Sequence, residues 1–391
     1  MYVRTLERHE RIELKKLWSI CFLYGMNVQE EEAKDKENAD RKLKSDFYGC
    51  FSDDGKLVSG MAANHYLMNF DGNDVPLCGI GGVVTHPSYR NSGAIRNIFE
   101  KLLRNERESG AVFSGLYPFS HAFYRKFGYE VGRVKSIYTI PLSCLSDYAC
   151  ELDTKLLLPD EPADYLLPVY DAFRKRYSLS IERDLESQKH QTRSNPYEKN
   201  DFTYVIFENG EPIAYAAFSP VKKDDGNHAV VRDYAFVTEY AFTKLLGFFH
   251  RFRAQFTSVE IELPSDIPIA TIVNAPYELS CTQDANYMIR VLNTQKALSG
   301  IVRDFDYRFV IEVTDDFLPE NSGKFLAEPG KAENTDLPAD VSMSIYTLSQ
   351  IITGAISFEE ALFKKDVRIS GNQKTLLRVF TKKPCFTGIY Y

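Results

Sequence analysis

The chain lacks a metal-binding or redox cysteine motif, a long apolar run and an excess of positive charge. Its seven cysteines, at 21, 50, 78, 144, 150, 281 and 385, are scattered, odd in number and without a Cys-x-x-Cys pair. That excludes a disulfide framework or zinc ribbon and expects reduced thiols in a cytoplasmic protein. The seven histidines are equally dispersed, with no pair at metal-ligand spacing, so no metal is expected. The longest apolar stretches, such as 17–26, are too short to span a bilayer. Residues 1–8 alternate apolar with charged side chains, unlike a signal peptide. No membrane partner is expected. A net charge of −7 argues against a nucleic-acid partner. There is no Gly-Lys-Ser/Thr phosphate loop and no Gly-x-Gly-x-x-Gly fingerprint.

What is present is a globular composition. At 391 residues the chain exceeds what one hydrophobic core usually supports, so two or three domains are expected. Apolar residues make up 44% and aromatics 13%, with 26% charged and no low-complexity run, which excludes wholesale disorder.

The most informative stretch is 79–105. A β-branched run, Val83, Val84 and Thr85, is stopped by Pro87. A polar loop of Arg90, Asn91, Ser92 and Gly93 then opens a helix with apolar residues at 94, 95, 98, 99, 102 and 103, which is helical spacing. Strand, glycine-containing loop and helix N-terminus form a phosphate-holding arrangement. Loop and first-turn N–H groups converge, the helix dipole adds positive potential, and Arg90 and Arg96 can add charge-assisted bonds. An ordinary strand-to-helix turn is the alternative. Gly79, Gly81 and Gly82 inside the preceding strand predict a bulge or a close backbone approach.

Upstream, helices are predicted over 12–23 and 30–44, and hairpins turn at Asp53-Asp54-Gly55 and at Asp71-Gly72-Asn73. Downstream come a strand over 112–116, a short helix over 120–127 and a strand over 129–140. A mixed sheet with flanking helices is an α+β (mixed α/β) sandwich. Residues 151–165, with Pro159 and Pro162, read as a linker. Beyond it the hairpin–strand–helix–strand order returns: 202–207 and 212–219, then 229–236, 238–253 and 259–263. This second copy has no Arg-x-x-Gly at its strand–helix junction, where Val237, Thr238, Glu239 and Tyr240 stand. An unrelated α+β domain is the alternative there. The last segment has strands over 306–313, 324–328 and 341–345, then helices over 347–353, 358–363 and 373–380.

Pro87-x-x-Arg90-x-x-Gly93 followed by Phe123-Tyr124-x-x-Phe127-Gly128-Tyr129 resembles the GNAT acyl-CoA N-acyltransferases. Two such folds followed by a sterol-carrier-protein-like region, in this order and at this length, resemble the Eis (enhanced intracellular survival) acetyltransferase family. The resemblance implies a catalytic GNAT domain over 1–150, a degenerate second one over 151–285 and a sterol-carrier-protein-like domain over 286–391. It also implies a homo-oligomer, a hexamer, with acetyl-CoA as co-substrate. Ile95 stands where the family pattern has glycine or alanine. The implied cofactor contacts are Val83, Val84, Thr85, Arg90, Asn91, Ser92, Gly93, Ala94, Ile95, Arg96, Phe119 and Ser120. The backbone of 83–85, on a splayed strand, would polarise the acyl carbonyl.

Transfer of an acetyl group to an amine also needs an acid for the departing thiolate and a base for the ammonium proton. The resemblance assigns the acid to Tyr124; a core aromatic is the alternative reading of that residue. Tyr129 reads as packing. No side chain stands out as the base. His86 and His121 read as loop or cap residues, and the resemblance points to the α-carboxylate of Tyr391, after an aromatic end at Tyr390 and Tyr391. Glu30, Glu31 and Glu32 form either a wall of the substrate cleft or a solvated helix face. The expected function is acetyl transfer to a small-molecule primary amine by direct attack in a ternary complex. A non-catalytic acyl-CoA- or lipid-binding protein is the alternative.

Overall fold

The structure, a computed structural model, describes residues 1–37, 44–159 and 161–390. The chain divides into two compact units. The first holds 1–132, 286–383 and Tyr390; the second holds 133–285 and 384–389.

In the first unit, β1 (Tyr2–Thr5), β2 (Ser45–Phe51), β3 (Leu57–Phe70), β4 (Asn73–Thr85) and β5 (Phe113–Leu116) lie side by side in sequence order. The end of the Ser280–Val291 strand adds to β5, with Met288 opposite Leu116. Helices α1 (Arg11–Phe22), α2 (Val28–Glu37), α3 (Ala94–Glu108) and α4 (His121–Arg125) flank them. The sequence predicts separate strands in 57–63 and 65–70. They are one strand, which passes through a register shift between Gly60 and Ala62 and stays paired with β4 to the Asp71–Gly72 turn, where φ is 51° and 83°. Two positive φ values match the twist of a tight hairpin. The predicted helix over 30–44 is described only as α2; positions 38–43 lie outside the described residues.

β4 and β5 are parallel and joined through α3, a crossover that buries one helix face on the sheet. Ala94, Ile98, Phe99, Leu102 and Leu103 supply that face. They pack with Tyr48, Met61, Ile80 and Leu116 in one core cluster. The remainder of this unit carries a five-stranded sheet in the order Lys331–Asn334, Gly323–Glu328, Phe309–Thr314, Val341–Ser344, Arg368–Ile369. Its tie to the first part is Arg290, which is fully buried, pairs with Asp315 and donates to the Phe127 carbonyl.

The second unit repeats the crossover. Glu211–Lys223 and Gly226–Phe236 form a hairpin, helix Glu239–His250 follows, and Ser258–Leu263 returns parallel to Gly226–Phe236. Asp153–Leu156, inside the stretch expected to be a linker, is an edge strand paired with Phe202–Glu208. Its composition is polar because an edge strand faces water along one side. Phe386 belongs to this unit's core and packs on Phe173 at 5.3 Å. Arg183, buried against Asp233 at 2.8 Å, donates to the Gly388 carbonyl.

Candidate active site

Pairing between β4 and β5 runs from Leu77/Phe113 to Ile80/Leu116 and then stops. From Gly81 onward, β4 keeps its partner β3 but has none on the β5 side. The cause is a bulge: the β3–β4 register shifts between Gly60 and Ala62, and Gly82 adopts φ +58°. A Cβ on Gly82 would lie 2.6 Å from the Trp18 ring, and Trp18 Nε1 donates to the Gly82 carbonyl at 2.6 Å. Only glycine fits both the backbone and the ring. The bulge bends the strand away and opens a cleft of about 650 Å³ at the ends of the parallel strands, where crossover folds place ligands.

The cleft gathers Val83, Val84, Thr85, residues 90–96 and Phe119 on its walls. His86 N–H bonds to the Val58 carbonyl on β3, so by strand alternation the Thr85 N–H points to the opposite, open edge. The first bond of α3 runs from Asn97 N–H to the Gly93 carbonyl, which leaves the N–H groups of Ala94, Ile95 and Arg96 ahead of the helical ladder. Gly93, the N-cap, has φ +84° and no side chain to cap them, while Asn91 has φ +62°. Alternating left-handed residues turn successive N–H groups inward, which suits an anion. Arg96 is held by Glu100 at 3.0 Å and lies over the Phe317 ring. Uncapped amides, a glycine lip and flanking cations fit the pyrophosphate of coenzyme A.

The equivalent junction in the second unit has none of this. Thr238 caps its helix by accepting from the Ala241 N–H, and Glu239 places a carboxylate in the first turn. An anion there would meet an occupied donor and a like charge.

Tyr124 lies next to the cleft on α4, 3% exposed, with Phe119 and Phe123 between it and the opening. No described residue hydrogen-bonds its hydroxyl. Burial, with a smaller contribution from Tyr390, pushes its pKa well above the ordinary phenol value, so its proton is present at any working pH. Tyr129 is fully buried and its hydroxyl pairs with Ser114 at 2.7 Å, a packing role. The Tyr390 ring packs tilted, at 37°, against Tyr117, with centroids 4.1 Å apart. Tyr391 lies outside the described residues. Ser120 is not on the cleft wall; it caps α4 by accepting from the Phe123 N–H. His86 caps a single turn through Ser88. Glu31 pairs with Lys15 at 3.0 Å, and Glu30 and Glu32 are exposed.

Sequence reasoning missed Cys21 and Phe22 from α1 and Lys126 from the aromatic segment, all on the cleft wall. Lys126 had a local signal, a second cation beside Tyr124. Cys21 and Phe22 had none, since α1 reaches the cleft only through tertiary packing. Burial raises the pKa of the Cys21 thiol, which makes it a poor nucleophile. A second groove, about 430 Å³, begins on the other side of the bulge. Trp18, Phe22, Tyr24, Phe47, Asn64 and the backbone of Gly81 and Gly82 form it, and Phe22 belongs to both.

Family models match in three places: an acetyltransferase (GNAT) domain over 2–132, a second acetyltransferase (GNAT) domain over 179–291 and a sterol carrier protein domain over 295–387. A sequence search of curated proteins gives no match. Among solved structures, the chain is similar to a GCN5-related N-acetyltransferase from Anabaena variabilis (TM-score 0.83, 20% identity, covering 100% of this chain and 99% of that one). It is similar to a conserved Enterococcus faecalis protein of unknown function (0.85, 21%, 100% and 99%). It is also similar to Eis1 from Mycobacterium abscessus (0.82, 18%, 100% of both). Among the described residues no helix is long and apolar enough to cross a membrane.

Proposed function

We propose that this chain, with two GNAT-domain matches followed by a sterol carrier protein domain, is an Eis-like GNAT acetyltransferase whose first domain alone moves the acetyl group of acetyl-CoA to a small-molecule primary amine. What carries this reading is one juxtaposition. The uncapped N-terminus of α3 opens onto the same cleft as the Phe119 and Phe123 wall in front of Tyr124.

The α3 amides, Arg90 and Lys126 hold the pyrophosphate, and the open edge of 83–85 receives the acyl carbonyl. An amine enters from the Trp18–Phe22–Tyr24–Phe47 groove, whose aromatic faces suit an alkyl chain or a cation. Its nitrogen lone pair attacks the thioester carbon, the Thr85 N–H steadies the developing oxyanion, and the C–S bond breaks. The Tyr124 hydroxyl gives its proton to the departing sulfur. The ammonium proton goes to the α-carboxylate of Tyr391, directly or through water. Tyr390, its neighbour, lies in the same unit as Tyr124. The reading assigns no step to a metal, places the enzyme in the cytoplasm and takes it as a homohexamer, which a monomeric mass by light scattering would exclude.

The test is Tyr124→Phe with acetyl-CoA and a panel of polyamine, aminoglycoside and lysine-bearing acceptors, read by release of free thiol. Calorimetry should give one acetyl-CoA site per chain in both proteins, and the variant's turnover should fall about 10²–10⁴-fold. Two sites, or undiminished turnover where chemistry limits the rate, would overturn the assignment. Extending the chain beyond Tyr391 should slow turnover while acetyl-CoA still binds; normal turnover removes the carboxylate from the mechanism.

A further inference from the structure

At the other end of α3 lies a cluster that the proposed chemistry does not use. Asp46 on β2 stands opposite Ala63 on β3, so His65, two residues further along, is its diagonal neighbour on the same face of the sheet. α3 crosses that face and brings Glu106, in its last turn, over the pair. His65 Nε2 is 3.1 and 3.3 Å from the two Glu106 oxygens and 3.9 Å from Asp46 Oδ2. One donor atom from each of the three side chains lies within 4.8 Å of the others. All three border a cavity of about 580 Å³.

The second observation is the state of Glu106. Its side chain is only 5% exposed, yet both oxygens face a single imidazole nitrogen. That nitrogen carries at most one proton, whereas a carboxylate has about four lone-pair directions. Among the described residues, the fully buried Cys78 thiol is a further but weak donor, and the Tyr48 hydroxyl stands nearby. A buried carboxylate so poorly supplied is costly, and Asp46 adds a second negative charge beside it. A bound dication would satisfy the free lone pairs and cancel both charges.

We propose that Asp46, His65 and Glu106 bind one divalent transition-metal ion of the zinc class. Tetrahedral bonds of ~2.0–2.2 Å set donors roughly 3.3–3.6 Å apart; the two His65 spacings, 3.1 Å to Glu106 and 3.9 Å to Asp46, bracket that range, and Asp46 and Glu106 lie within 4.8 Å of each other. The nitrogen donor argues for zinc, cobalt or nickel over magnesium and calcium, which prefer oxygen. The cavity leaves room for water as the fourth ligand. At ~1.5 Å rise per residue, Glu106 is roughly 20 Å along α3 from Gly93. The ion therefore clamps the helix to β2 and β3 and stands apart from acetyl transfer.

The test uses the full chain, stripped with EDTA and dialysed. Zn²⁺ titrated by calorimetry should saturate at one equivalent and raise Tm, and Co²⁺ should give a visible absorption band. His65→Ala and Asp46→Asn, at half-exposed positions that should fold normally by circular dichroism, should weaken Zn²⁺ at least about tenfold and abolish the Co²⁺ band. His9→Ala, at an exposed histidine elsewhere, should change neither. No Zn²⁺ uptake by the wild-type chain, or equal uptake by His65→Ala (an adventitious ion only), overturns the proposal.

Discussion

Gly82→Ala tests whether the strand bulge shapes the site. The added Cβ would sit 2.6 Å from Trp18 ring atoms, and the backbone there has φ +58°. Holding an L-residue in the left-handed region costs about 1–2 kcal/mol. Overpacking against a ring that is itself held by a hydrogen bond costs about 1–3 kcal/mol more. Alanine gives back about 0.4–1 kcal/mol by restricting the unfolded chain. The net expectation is a loss of about 2–3 kcal/mol from the first unit. Trp18 is the chain's single tryptophan, so its fluorescence reports that unit alone during denaturant unfolding. The midpoint should fall, and native emission should change as the ring is displaced. Because Trp18 and Gly82 border the amine groove and not the α3 amides, the acceptor KM should rise while acetyl-CoA binding holds. A midpoint within about 0.5 kcal/mol of wild type would refute the packing argument, since that is the usual scatter of surface substitutions. An unchanged acceptor KM with a lowered midpoint would refute the groove assignment.

Two other outcomes follow from the same geometry. Gly93→Asp puts a carboxylate at an N-cap with φ +84°, so acetyl-CoA affinity should drop by tenfold or more, with a stability loss of about 1–2 kcal/mol from the left-handed backbone; calorimetry showing undiminished binding would exclude the loop as the phosphate site. Stability should also fall at alkaline pH. Burial pushes Tyr48 up to about 12, and raises Tyr124 and Tyr129 as well. Folded values above the unfolded value of ~10 give a contribution that is complete below pH ~10 and is lost as pH climbs toward the folded values. The denaturation midpoint should drop above pH ~10, and a full tyrosinate absorbance in a still-native chain would contradict it.

The loop and helix over 90–108 are legible in the sequence because their information is local. Apolar spacing from 94 to 103 gave the buried face of α3, and Gly93 gave the left-handed N-cap. The glycines at 79, 81 and 82 announced the bulge for the same reason. The absent loop at Val237–Tyr240 was equally visible, and the Thr238 cap supplies its physical meaning. Boundaries drift where local patterns mislead: β3 runs on through position 64 because its ladder with β4 does, and Asp153–Leu156 is hidden by an edge strand's polarity.

What the sequence by itself determined is therefore the order of domains, the loop–helix unit and the aromatic segment around Tyr124, since backbone conformation and periodicity are written in neighbouring residues. Only the tertiary structure decided what meets across the chain. It brought Phe22 to the cleft, set Trp18 against Gly82, and placed Arg290 beneath the Phe127–Gly128 turn, where a Cβ on Gly128 would strike its guanidinium. It likewise gathered Asp46, His65 and Glu106, which lie on two strands and a helix and share no spacing along the chain. Contacts of this kind depend on strand register and on the angle at which a helix crosses a sheet, and both are fixed by the packing of the whole core rather than by any local run of residues.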